Sequence, residues 1–415
     1  MVYYKKGGDG MTVTEKTVLT YLEEHCEELY EAVSRLVQID TQNFKTHGNE
    51  NEGQVFFETI CQEIGLAVDR YAMASVPKIT EHPEFQAGRD AEHRENAVAI
   101  LHGKQDVNGV MVAGHIDTMP FGDLAAWEES PLSGSIRDGK IYGRGAGDDK
   151  YGVILPWFVC KAFKELGVEL KKNVLIGSYA DEEYGGCNGP LALCMKYPCE
   201  CYINLDGAGL EKEACGGACY AIDVRSHTVT AGVASIFDVF EGTQMVIDAL
   251  KELHNRPGTA VRLSSFAGGV SGDKTATVKF AVYTDMTKDE TAAELEKLHN
   301  TLLPAMQAKK LSCTEFERRT RFFSYGKTPD NSREVALLTD VVREIQGTCE
   351  DVPGHDLTDL SDFMAHGSLN SMNFGFTQGS PEGGGAHQAN EHIWCDKLLA
   401  CAKTIALFLL RTCGE

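Results

Sequence analysis

Short apolar runs that each stop at a cluster of acids or histidines constrain this chain more than any other feature. Runs of β character occupy residues 96–102, 109–116, 173–179 and 201–205. Between the second and third lies 151–166, apolar nearly all round, which predicts a buried helix. Strand, helix, strand, strand in that order predicts an α/β layered domain with a largely parallel sheet. Ligands of such sheets gather in the crevice at the carboxyl ends of the strands. Helical spacing at 17–41 and 51–66 precedes this pattern. It resumes late, with a helix at 332–346, a strand at 371–376 and a helix at 396–411.

Between the two stretches the pattern changes. A strand at 220–229, a helix at 242–254, strands at 260–265 and 275–283, a long helix at 288–309 and a strand at 312–319 read β-α-β-β-α-β. The expected division is a flexible tail at 1–12, a main domain of 13–212 with 328–415, and an inserted domain at 213–327. A length of 415 residues agrees with two cores rather than one.

The formal net charge is -22, so the surface repels phosphate backbones and nucleic acid is not an expected partner. Fourteen cysteines in a chain of this length read as reduced thiols rather than a disulfide framework. The opening MVYYKKGGDG is polar and glycine-rich, unlike a signal peptide. The apolar stretch at 405–410 is too short to span a bilayer. These features point to a cytoplasmic protein without a membrane partner.

Five clusters carry candidate chemistry. His115 and Asp117 follow the run at 109–113 and, two apart on extended backbone, point the same way. Asp148 and Asp149 open the helix at 151–166, where they also suit helix capping. Asp181, Glu182 and Glu183 follow the run at 173–179; adjacent acids repel unless solvent or a cation separates their charges. Asp206 precedes a glycine, a common turn pair, and His387 lies in HQANEHI beyond a glycine-rich loop at 379–385. Each cluster alone has an ordinary structural use. Together, His115, Asp148, Glu183, Asp206 and His387 come from five loops that a parallel sheet gathers on one rim. Two imidazoles and three carboxylates suit Zn²⁺, Mn²⁺ or Co²⁺. Five ligands exceed one closed tetrahedral site and fit two open sites with a bridging carboxylate.

The segments GHIDTMP (114–120), GRGAGDDKYG (143–152), DEEYGG (181–186), NLDGAG (204–209) and HQANEHI (387–393) resemble, in order, the signatures of the M20 metallopeptidase family (aminoacylase/carboxypeptidase G2-like). Their spacing looks nearest to its dipeptidase branch. The resemblance implies a phosphorylase/hydrolase-like catalytic domain holding two metals, and a ferredoxin-like inserted lid that forms a homodimer. It implies that Asp148 bridges the metals, that His115 and Asp206 complete one site, and that Glu183 and His387 complete the other. Asp117 would orient His115, and Glu182 would be the general base. The lid departs from the family's pattern. The nearest candidate for its oxyanion-binding histidine is His227, in Arg225-Ser226-His227, and AVYTDMT (281–287) carries no arginine for a substrate carboxylate.

Two further signals are set aside. Cys199-x-Cys201 with Cys215-x₃-Cys219 lacks zinc-ribbon spacing, and GGVSGDKT (268–275) reads as a hairpin turn rather than a phosphate loop. The expected function is hydrolysis of dipeptides or short peptides with two divalent metals, Zn²⁺ first among them. An N-acyl-amino-acid deacylase is the rival within the family. A non-catalytic peptide- or metal-binding protein is the rival outside it.

Overall fold

The computed structural model describes residues 11–230, 233–234, 236–268, 275–349, 351–352, 354, 356–375 and 383–414. The turn within 269–274, most of the tail and much of the 379–385 loop therefore lie outside the described residues. The chain divides into two compact units, one of residues 1–213, 327–353 and 362–415, the other of 214–326 and 354–361. The insertion was expected at 213–327, and the longer stretch of the second unit is 214–326. Residues 354–361, expected in the main domain, cluster with the inserted unit instead. There the buried Arg321 Nη2 lies 2.9 Å from Asp359 Oδ1, an ion pair that the sequence spacing does not reveal.

The first unit is built on an eight-stranded sheet in the order 67–72, 95–101, 173–179, 108–115, 201–204, 371–374, 210–211, 351–352. The four strands from 173–179 to 371–374 run parallel, and the strands at 67–72 and 95–101 join antiparallel. Alternation along Asn108–His115 shows why this sheet needs cover on both faces. Val110 and Val112 enter one apolar cluster, whereas Met111 and Ala113 enter the other. The first cluster joins the helices Val13–Glu24, Cys26–Val37, Lys150–Glu165 and Cys395–Cys413. The second covers the opposite face with the helix Asn188–Lys196. Val153, Ile154, Phe158 and Val159 are wholly buried, as a helix apolar all round requires.

Local differences from the sequence reading have local causes. The helix expected over 17–41 breaks at His25, and its first part starts earlier, at Val13, where Thr12 and Glu15 form a capping box. In the inserted unit the strand expected at 220–229 is Gly216–Ser226. Its start is written in glycines because Gly217 has φ +132°, and a Cβ there would meet Val282 O at 1.8 Å. The helix expected from Gly242 begins at Ile236. Gly242 is an interior close-packing point, where a Cβ would lie 2.6 Å from Val224 Cγ1. The last strand is short, Leu311–Cys313, followed by the separate pair Glu317–Arg318. The resulting antiparallel order, 259–268, 275–284, 216–226, 311–313, with both helices in the connections, is that of a split β-α-β unit. No helix among the described residues is long and apolar enough to cross a membrane.

Candidate metal centre

His115 ends the strand Asn108–His115, and Glu183 and Asp206 follow the neighbouring strands Asn173–Tyr179 and Cys201–Asn204. Parallel pairing aligns these strand ends, with His115 opposite Tyr179 and Ala113 opposite Asn204. Asp148 arrives from the glycine loop before the helix Lys150–Glu165, and His387 from the segment before His392–Trp394. His115 Nε2 lies 2.9 Å from Asp148 Oδ1, while His387 Nε2 lies 3.1 Å from both Asp148 Oδ2 and Glu183 Oε2. His115, Asp148 and Asp206 form one triad whose ligand atoms lie within 4.8 Å of one another, and Asp148, Glu183 and His387 form a second. Asp148 belongs to both.

The donors fit two cations on electrostatic grounds as well. Burial raises the Asp206 carboxyl, and the neighbouring Asp148 raises it further, to about 7. Glu183 is also raised by burial, against a hydrogen bond from His387. Burial opposes charge on Asp148 too, but its hydrogen bonds from His115 and His387 outweigh burial and hold it below the usual carboxylate range. Burial disfavours the His387 imidazolium, yet Asp148 and Glu183 lift it to about 11. Crowded carboxylates that trap protons on their histidines are relieved when a divalent ion takes the place of those protons.

Asp117 is wholly buried, and its carboxylate accepts from the backbone N–H of Glu182 and Glu183, each at 3.1 Å to Oδ2. His115 Nδ1 lies 2.9 Å from the main-chain oxygen of Asp117 and 3.8 Å from its Oδ1. The residue thus touches both the histidine and the loop that presents the two glutamates. Burial opposes the His115 imidazolium, but the hydrogen bond to Asp148 and then the nearby charge of Glu182 hold it well above the usual imidazole range. Asp149 does not join either triad; it is buried and its Oδ2 accepts from His115 N at 3.3 Å. His227 lies in the inserted unit, with Nε2 2.8 Å from Ser312 Oγ.

Several residues that shape the centre escaped the sequence reading. Asn43 Nδ2 donates to Asp117 Oδ2 at 2.8 Å. Glu391 Oε1 accepts from the backbone N–H of Gly145, Gly147 and Asp148 at 2.9, 3.1 and 3.2 Å. Its other oxygen takes Arg144 Nη1 at 2.5 Å, and Arg144 Nη2 donates to His387 O at 3.2 Å. Glu391 lies inside a motif the sequence had marked, which was its one available signal. Arg94, 1% exposed, pairs with Glu50 and places Nη1 2.7 Å from Asp181 Oδ1; Arg89 Nη1 reaches the same oxygen at 2.6 Å. This buried network anchors the residue before Glu182. Arg94→Leu strips compensation from two buried carboxylates, so urea unfolding should show a loss of about 3–5 kcal/mol. A loss under about 1 kcal/mol would mean that Arg89 and solvent compensate fully.

The sequence profile of Peptidase family M20/M25/M40 matches residues 111–411. An uncharacterized metallohydrolase of Methanococcus maripaludis is 28% identical over 182 residues, 43% of this chain and 42% of that protein. N-formyl-4-amino-5-aminomethyl-2-methylpyrimidine deformylase of Halalkalibacterium halodurans is 25% identical over 203 residues, 48% of this chain and 43% of that protein. The chain thus spans less than half the length of these two relatives. The solved structure of the dipeptidase Dug1p from Saccharomyces cerevisiae has a TM-score of 0.74 at 14% identity, over 96% of this chain and 98% of that one. At that identity the likeness is one of fold.

Proposed function

Because the chain belongs to peptidase family M20/M25/M40, we propose that its two triads hold two divalent metal ions and that it hydrolyses the amide bond of dipeptides or short peptides. The observation that carries this reading is the membership of Asp148 in both triads. His115 and Asp206 would complete one site, and Glu183 and His387 the other. Zn²⁺ suits this nitrogen and oxygen set, and Mn²⁺ or Co²⁺ would also be accepted. Ions held by these residues would lower the pKa of a bound water and polarise a carbonyl oxygen.

The chain's own part is to position and to move protons. Glu183 is committed to His387 and to Met119 N, whose N–H it accepts at 2.8 Å. The adjacent Glu182 would take a proton from the water and return it to the leaving amine. Asp117 fixes the backbone of both glutamates, so one holds a ligand place while the other serves as base. The nearest lid candidate for the oxyanion is His227. A homodimer through the inserted unit and a cytoplasmic location belong to the same proposal.

A second reading, deacylation of N-acyl compounds, is favoured by the deformylase relative. Metal-stripped protein with Zn²⁺, Mn²⁺ or Co²⁺ added back should release amino acids from a mixed dipeptide library. Faster turnover of formyl-, acetyl- or succinyl-amino acids would reverse the order of the two readings. No release from either set with any metal would sink both.

A further inference from the structure

A second group of metal-binding side chains lies in the first unit and shares no residue with the two triads. Cys187 stands immediately before the helix Asn188–Lys196, and Glu84 lies beyond the short turn Ile79–Glu81. Asp362 immediately precedes the helical turn Phe363–Gly367, and His366 lies within it. Ligand atoms of Glu84, Cys187 and Asp362 lie within 4.8 Å of one another. Cys187 Sγ is 3.7 Å from Asp362 Oδ1. His366 Nε2 is 3.0 Å from Glu84 Oε2 and 3.8 Å from Asp362 Oδ1. Metal–ligand bonds of about 2.0–2.3 Å in a tetrahedron put neighbouring ligand atoms roughly 3.3–3.8 Å apart. The Cys187–Asp362, His366–Glu84 and His366–Asp362 separations fall in or close to that range.

Composition and burial narrow the ligand. One thiol, one imidazole and two carboxyls make a borderline-soft set that calcium and magnesium do not favour and zinc does. Cys187 and Asp362 are wholly buried, and the His366 side chain is 15% exposed. Cys187 and Phe363 belong to the apolar cluster on this face of the sheet. His82 stands edge-on to His366, with ring centroids 5.0 Å apart, as an outer neighbour. Three separate chain segments therefore bring these four side chains to one largely enclosed region.

We infer that Glu84, Cys187, Asp362 and His366 bind a third, structural zinc ion. Binding releases the thiol proton and leaves His366 neutral, with the ion held by one sulfur, one nitrogen and two oxygens. The ion would tie the end of the 181–187 loop, which carries Glu182 and Glu183, to the segments at 84 and 362–366. Cys187 N already donates to Asp181 O at 3.1 Å, so the thiolate anchor and the loop move as one.

The test uses the full-length protein loaded with cobalt(II). Both triads offer only nitrogen and oxygen, so a near-ultraviolet thiolate-to-cobalt charge-transfer band reports the Cys187 group alone. The band should appear in the unaltered protein and vanish in Cys187→Ser. Bound metal should fall by one ion per chain in both Cys187→Ser and His366→Ala. His387→Ala, which removes a ligand of the other centre, should keep the band; this separates the third site from the two-metal reading. Absence of the band from the unaltered protein, or an unchanged metal count in both variants, would overturn the proposal. The group would then be a hydrogen-bonded network of acid, thiol and imidazolium.

Discussion

Glu182→Gln is expected to lower kcat by about 10²–10⁴-fold while leaving bound metal unchanged. The amide keeps the size and one acceptor oxygen of the glutamate but cannot take a proton. Its backbone N–H still donates to Asp117, so the loop geometry and the place of Glu183 persist. KM should move little, because the lost interaction belongs to proton transfer rather than to substrate binding. Two measurements decide the matter together, single-turnover hydrolysis and metal analysis of the same preparation. Undiminished turnover with metal in place would end the role of Glu182 as base. Lost metal with lost turnover would instead make Glu182 a ligand.

Asp148→Asn should have the wider effect, since one substitution removes charge from both triads. Asp148 Oδ1 faces His115 and Oδ2 faces His387, and the residue stays ionised through those contacts. Asparagine offers one oxygen and no charge, so each ion would lose the shared carboxylate and keep a single anionic ligand, Asp206 in one triad and Glu183 in the other. Metal analysis should find less than one ion per chain in this centre, and hydrolysis should fall to background. Circular dichroism should be unchanged, because the helix beginning at Lys150 is held by its buried apolar face. Retention of both ions would show that the triads are independent and that Asp148 bridges nothing.

Much of this centre was legible because strand ends on a parallel sheet are predictable places. His115, Glu183 and Asp206 follow runs whose apolar character alone marks them as strands. Asp148 and His387 needed the joint argument that five loops share one rim. What stayed hidden has a common physical cause. Arg94, Glu50 and Asp181 look like surface charges in one dimension and become a buried network only after folding. Asn43 is an ordinary polar residue until it meets Asp117, 74 positions away. The strand Ala67–Ala72 was missed because it lies at a sheet edge and alternates weakly, with Asp69 half-buried and Arg70 exposed. The assignment of residues 354–361 failed for the same reason as the arginine network, an ion pair between distant segments.

The two stretches of the first unit have a consequence for the order in which the protein comes into being. Ribosomal synthesis delivers His115, Asp148, Glu183 and Asp206 before the inserted unit, and His387 with Glu391 only after it. Glu391 is also the clasp on the loop that presents Asp148. The helix Cys395–Cys413 then supplies Leu398, Ile405, Ala406 and Leu409 to the core on which the sheet rests. A nascent chain therefore carries most of its chemical groups long before it can organise them. On the proposed function, hydrolytic competence would arrive in one late step, when His387 and Glu391 join groups already in place.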